Sequence, residues 1–403
     1  MANLPDWITA AEARGAVVVG KRLSANDTGA TGAHQVGPYV TRSVVEQLFS
    51  EMLLLDGVEN PKSTSRASFS SHETPAQMVT LTWYNNRNRG GTRNEFRLTG
   101  WGGKSSPIQD PDATGSLALF AFSRDSEQQI VCDVWLCRDI AEEEVAESSL
   151  GAVEPGEMSV LFSTGGSVSA VQDTLNSLLI PDAWRGQFPV AKDLVAESVR
   201  RVPDDGRGID RLLIRRREIE FDLFRQVEDT MAWPRIKEGF NSLDEFIQFA
   251  LSLTNRRKAR TGLSLEWHVN EILLGEHLLF KDQAEIEGGK IPDFLFPSVH
   301  AYEDPLTPAD RLSMLAVKTT CKDRWRQILN EASRIPRKHL LTMQEGVSEG
   351  QYAEMAEAEV VLVVPAPLHH KYPRSVRSHL LTVQDFVDHV RALELPTSEH
   401  SAD

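Results

Sequence analysis

Asp293 follows Pro292 and opens the apolar run Asp293-Phe-Leu-Phe296, and Lys318 ends the run Leu315-Ala-Val-Lys318 twenty-five residues later. Glu331 comes thirteen residues further on, in a helix-like stretch. Two carboxylates and a lysine on neighbouring elements form a set that can cut phosphodiesters with magnesium. The carboxylates hold the metal, which takes up charge on the phosphoryl oxygens, and the ammonium orients water or offsets charge in the transition state. A lysine inside Met314-Leu-Ala-Val-Lys-Thr-Thr320 also needs a reason to be there. The acidic position usual two residues before such a lysine is Ala316, so Glu331 must supply the second carboxylate. Glu266, on a preceding helix that opens near Ser264, adds a third carboxylate, and crowded carboxylates favour a cation between them. Tyr302, in the loop after the Asp293 strand, can touch a phosphate.

These residues need a sheet to carry them. Asp293–Phe296, Met314–Thr319 and Val360–Val364 read as strands alternating with helices, which predicts an α/β domain with its sheet sandwiched. Upstream, Ser242 stands three before Glu245 and leads a helix with apolar positions Leu243, Phe246, Ile247, Ala250 and Leu251. The first part of the chain is mainly β. Its strand-like runs are Gln77–Tyr84, Ser116–Phe122 and Gln129–Leu136, with a helical stretch near Ser43–Phe49. The organisation expected is a β domain over 1–165, a linker over 166–189, an α/β domain over 190–396 and a disordered tail over 397–403.

Composition sets bounds on function. A chain of 403 residues with 25% charged and 41% apolar residues is that of an ordinary globular protein of two or three domains. It has no run of about 20 apolar residues and no basic-then-apolar leader, so a cytoplasmic location without membrane insertion is expected. Three cysteines, Cys132, Cys137 and Cys321, suit a reducing compartment and read better as buried strand thiols than as a zinc site.

The net charge of −15 argues against indiscriminate nucleic-acid binding. Local contrast points the other way. From Lys318 to Lys338 seven basic residues face two acidic ones, and Arg256-Arg-Lys-Ala-Arg260 adds four more positive charges. Lys322, Arg324 and Arg326 follow the catalytic-looking strand, where arginines can reach guanine edges; a solvated amphipathic helix is the equal alternative. Arg256, Arg257, Lys258 and Arg260, read as a helix end, suit backbone phosphates.

Two further segments stand out in the first half. Lys21 to Tyr39 is small, polar and glycine-bearing, but lacks the Lys-Ser/Thr of a nucleotide P-loop. In Arg87–Arg97, residues Arg93, Glu95 and Arg97 alternate, which in an extended segment puts two donors and an acceptor on one face; a salt-bridged surface strand is the plain alternative.

The chain resembles the EcoRII family of type IIE restriction endonucleases over nearly its whole length. The stretches that carry the resemblance are Lys21-Arg-Leu-Ser-Ala-Asn-Asp-Thr-Gly-Ala-Thr-Gly32, His34-Gln-Val-Gly37, Thr92-Arg-Asn-Glu95, Pro292-Asp-Phe-Leu-Phe-Pro-Ser298 and Leu315 to Ala332. The resemblance implies an N-terminal effector-DNA-binding β pseudobarrel and a C-terminal restriction-endonuclease-like PD-(D/E)XK domain, a mixed sheet flanked by helices. It also implies a magnesium-dependent homodimer that cuts double-stranded DNA before the first C of CCWGG, is stimulated by a second site, and flips out the central base pair. The family's catalytic residues match Asp293, Lys318 and Glu331, with Glu266 and Tyr302 in support, and its effector-site residues match His34, Tyr39, Arg93, Glu95 and Arg97. Gly91 and Phe96 stand where the archetype has lysines, which implies a weaker or less salt-dependent effector contact. A cognate cytosine methyltransferase is implied as functional partner. The rivals are a non-cleaving DNA-binding regulator with a decayed nuclease domain, and a nuclease-fold enzyme aimed at other DNA.

Overall fold

The computed structural model of the chain describes residues 3–33, 35–156, 158–162 and 180–394, a few side chains excepted. His34, most of the expected linker and the expected disordered tail therefore lie outside the described residues.

The first half is an eight-stranded sheet of β1 (Val17–Arg22), β2 (Tyr39–Val40), β3 (Lys62–Phe69), β4 (Thr74–Tyr84), β5 (Glu95–Thr99), β6 (Leu117–Arg124), β7 (Ile130–Leu136) and β8 (Met158–Phe162). The order is β2-β5-β4-β3-β7-β6-β1-β8. The two edges approach each other where the Thr41 hydroxyl donates to the Met158 carbonyl at 2.9 Å, so the sheet curls into a nearly closed barrel. Strand β6 shows why its sequence is apolar without alternation. Ala118, Phe120 and Phe122 fill the barrel with Trp101 and Phe49, whereas Leu117, Leu119 and Ala121 pack outward against the helices Leu4–Ala13 and Ile140–Leu150. All three cysteines are buried and free of disulfides.

The second half is a five-stranded mixed sheet of β9 (Lys281–Asp282), β10 (Phe294–Phe296), β11 (Ser313–Lys318), β12 (Lys338–Thr342) and β13 (Val360–Val363), in the order β13-β12-β11-β10-β9. β10 runs antiparallel to β9 and β11, whereas β11, β12 and β13 are parallel. Alternate residues of β10 and β11 face opposite layers. Phe294, Phe296, Leu315 and Val317 pack with the helices Ile209–Glu238, Leu243–Gly275 and Val383–Glu394. Leu295, Met314 and Ala316 pack with Tyr302, Trp325, Ile328 and Ala332 on the other face.

Two local expectations are corrected. The helix begun at Ser242, whose hydroxyl accepts from the Glu245 amide at 3.1 Å, runs unbroken from Leu243 to Gly275. No helix opens at Ser264, and the basic strip 256–260 lies in mid-helix rather than at a helix end. The apolar stripe at the start of that helix is exposed, Leu243 by 72% and Leu251 by 52%. Among the described residues no helix is long and apolar enough to cross a membrane.

Candidate active site and DNA-facing surfaces

Antiparallel pairing of Phe294 with Leu315 extends by one step to set Asp293 across from Ala316, on the sheet face that also carries Lys318. The missing acid would have stood directly opposite Asp293; a methyl group there belongs to the core instead. Asp293 is buried, and its Oδ2 accepts from the Val317 amide at 2.7 Å and from Lys318 Nζ at 3.0 Å. The strands thus bring the first two residues of the triad into direct contact.

Glu331 is not on a helix. It caps the short 3-10 helix Arg324–Asn330 in an extended conformation, followed by Ala332 at φ +45°. Burial raises the Glu331 carboxyl, as does the charge of Asp293, while Lys318, Lys338 and Lys290 pull it down. Glu266 reaches the same charges from the long helix Leu243–Gly275. Burial first, then Asp293, pushes it up to about 7 against the pull of Lys318 and a hydrogen bond from Gln283 at 3.0 Å. Two half-buried carboxyls raised chiefly by burial, with a third carboxylate adding to the rise, form a site that a cation would stabilise. Among the described residues no three acidic, histidine or cysteine side chains form a ready-made cage. Asp293 and Glu331 could hold a divalent cation such as magnesium, which binds through one or two carboxylates, with Glu266 beside them.

Tyr302 sits in the short helix Val299–Glu303 with its ring buried. Its hydroxyl donates to Glu287 Oε1 at 2.6 Å, and Glu287 also accepts from the Ser333 amide and hydroxyl, both at 2.7 Å. Burial opposes charge on Glu287, but these bonds outweigh it and hold its carboxyl down at about 2. Tyr302 is thus tied to the turn that carries Glu331 rather than to Asp293 or Lys318. Glu287 escaped the sequence reading, because nothing in its neighbours marks the turn forty-six residues away as its partner.

The basic strips are less free than their counts suggest. Arg257 pairs with Glu228, its Nη2 2.6 Å from Oε2, and Arg256 stacks over Phe188 at 4.9 Å. Arg326 pairs with Glu354 at 2.6 Å, and Arg334 caps carbonyls of Tyr302, Asp304 and Thr307. Arg324 is half-buried, and the Lys258 side chain lies outside those described.

Two of the predicted DNA contacts are held by the barrel domain. Lys322 donates to the Ser116 hydroxyl. Arg260 and Arg217 both donate to Glu154, which follows the helix Ile140–Leu150, at 2.6 and 3.1 Å. On the same interface Ser348 and Gln351 bond to Asp112 at 2.8 and 3.0 Å, and the Ala25 amide donates to the Glu345 carbonyl at 2.9 Å.

In the barrel domain Phe96 and Leu98 of β5 turn into the core, so Glu95 and Arg97 turn outward. Arg97 faces Tyr39 across the β2–β5 pair and donates to Glu95 at 3.1 Å. Arg93 stacks over Tyr84, the partner of Glu95, and donates to Gln35 at 2.7 Å. Four of the five residues expected at an effector site thus share one outer face. Phe96, expected as a lost lysine contact, stacks on Trp83 in the core at 5.2 Å.

Comparison with known proteins identifies the family. The model of the family "Restriction endonuclease EcoRII, N-terminal" matches residues 12–164, and that of "EcoRII C terminal" matches residues 224–387. The Type II restriction enzyme EcoRII of Escherichia coli is 42% identical over 402 residues, 98% of each chain. Among solved structures, metal-depleted Ecl18kI in complex with uncleaved, modified DNA is 22% identical, with a TM-score of 0.42 over 52% of this chain and 80% of that one. The restriction endonuclease PspGI–substrate DNA complex is 15% identical, with a TM-score of 0.42 over 52% of this chain and 95% of that one. With both halves matched by family models and a curated relative aligned from end to end, this chain belongs to the EcoRII family of type II restriction enzymes and is a site-specific deoxyribonuclease.

Proposed function

We propose that the chain cuts double-stranded DNA at CCWGG-like sites by magnesium-dependent hydrolysis, leaving 5′-phosphate and 3′-hydroxyl ends. The observation that carries this reading is the buried Asp293–Lys318 contact, flanked by two carboxyls, Glu266 and Glu331, that burial first and Asp293 after it push toward the protonated form. Asp293 and Glu331 would hold the ion, with Glu266 completing the acidic surround. When bound, the ion supplies charge for the phosphoryl oxygens. The Lys318 ammonium, anchored on Asp293, is free to swing its remaining protons toward the attacking water and hold it in line with phosphorus. Tyr302 acts through Glu287 on the Glu331 turn.

A nearly palindromic target calls for a two-fold reader, so the active species is a homodimer. Tyr39, Arg93, Glu95 and Arg97 form the face that takes a second, effector copy of the site, and His34 joins them. The barrel domain restrains cleavage until that copy binds. Ser116 on Lys322 and Glu154 on Arg217 and Arg260 are the contacts that support this coupling. A cytosine methyltransferase of matching specificity is the functional partner that protects host DNA.

The test is Lys318→Ala. Cleavage and nicking of a two-site plasmid in magnesium should fall by about a hundred- to a thousandfold, as for loss of a charge-stabilising group. Duplex binding in calcium should stay within twofold of wild type. A Lys318→Ala protein that still cuts sinks the assignment.

A further inference from the structure

Glu331 stands on a turn that side chains from outside it hold at several points. Ala332, next to it, has a left-handed backbone that a residue with a Cβ rarely adopts unless its surroundings fix it. The carbonyls of Glu331, Ala332 and Ile335 converge on one point, and that point is Nζ of Lys338. The distances are 2.5, 2.7 and 2.5 Å. An ammonium has three protons, and all three are used. Lys338 is the first residue of β12, every position of which is buried, and is itself only 4% exposed. A lysine is costly there unless its charge and donors serve something. Two outer contacts tether the same turn: Lys290 donates to the Asn330 carbonyl, and Glu287 takes the Ser333 amide and hydroxyl. Lys338 also faces the Glu331 carboxyl electrostatically, alongside Lys318 and Asp293.

We infer that Lys338 is a positioning residue for the metal site: its ammonium gathers three carbonyls into the turn that holds Glu331 within reach of Asp293 and Lys318. It sets affinity for the divalent cation rather than for DNA. The inference rests on the reading of Glu331 as a metal ligand, and the two are separable by experiment.

The probe is Mn2+, titrated into the full chain and followed by electron paramagnetic resonance of the free ion. Lys338→Met keeps the length of the side chain and removes its donors. With native circular dichroism it should bind Mn2+ at least fivefold more weakly. The Mg2+ needed for half-maximal cleavage of a two-site plasmid should rise in parallel, while metal-free duplex binding stays unchanged. A folded Lys338→Met with wild-type Mn2+ affinity, or one that loses duplex binding to the same degree, overturns the inference. Should Lys338→Met not fold, Lys338→Arg answers the same question. Its broader, planar fork has no single nitrogen that can give protons to three carbonyls, so the turn must reshape and it too must lose Mn2+ affinity, and retention overturns the inference. Glu331→Gln is the control: if it binds Mn2+ as wild type does, the ligand assignment itself fails.

Discussion

Glu154 belongs to the barrel domain, yet its carboxylate is held by two arginines of the catalytic domain, Arg260 at 2.6 Å and Arg217 at 3.1 Å. The arginine side chains are 5% and 9% exposed and Glu154 is 19% exposed, so water screens the cluster poorly. Truncating one partner of a buried, hydrogen-bonded charge pair across an interface costs about 2–5 kcal/mol. The lower part of that range applies here, because neither arginine is stranded. Arg260 keeps Glu220 at 3.1 Å, and Arg217 keeps the Ser264 hydroxyl at 3.1 Å. Glu154→Ala should therefore weaken domain docking by about 2–3 kcal/mol, which is roughly a 30- to 150-fold shift toward the undocked form. If docking restrains the catalytic domain, cleavage of a one-site plasmid should rise by up to that factor, until chemistry limits it. Cleavage of a two-site plasmid should barely change. Asp112→Ala, which removes the part-buried, uncharged-donor bond from Ser348, should give only a few-fold rise, since it costs about 1 kcal/mol. A folded Glu154→Ala enzyme with wild-type rates on both plasmids would refute the restraint.

Two further outcomes follow from other parts of the fold. Exchanging Glu95 for Gln or Arg97 for Ala should lower affinity for an effector duplex about tenfold each, as for loss of a good base contact, without altering catalytic-domain binding; equal affinity in a filter-binding assay on the isolated effector step would exclude that face. His339, packed on Phe386 and His389, is pushed down to about 3 by burial, then by His389 and Arg337. The unfolded chain takes up a proton near pH 6.5 that the folded chain refuses, so stability is lost as pH falls from about 6.5 toward 3. At pH 5 the loss is about 2 kcal/mol. His339→Leu should flatten that part of the urea-stability profile by this amount, and an unchanged acid slope would show that His339 is not its source.

What the sequence made legible was whatever depends on neighbours along the chain. The apolar runs around Asp293 and Lys318 define adjacent strands, and pairing of those strands is enough to bring a carboxylate and an ammonium together. The alternation of Glu95 and Arg97 about Phe96 likewise decides which side chains turn outward. Periodicity also found the apolar stripe Leu243, Phe246, Ile247 and Leu251, but it carries no information on what lies against that stripe, and the stripe is exposed.

Features that depend on distant partners were hidden. Arg257 and Arg260 read as a basic cluster at a helix end because local counting cannot see Glu228, Glu220 and Glu154, which neutralise them and let one helix run through. The same blindness placed Glu331 on a helix. Seven residues from Arg324 to Asn330 do form helical turns, but the chain leaves them at Glu331, where Lys338, Glu287 and Lys290, all outside that helix, take up backbone groups of the turn. A lysine seven residues downstream, counted at first as one more positive charge on a DNA-facing strip, is thus spent inside the protein. The charge that a sequence assigns to a surface is an upper bound, and here the difference between the bound and the exposed remainder is what shapes the active site.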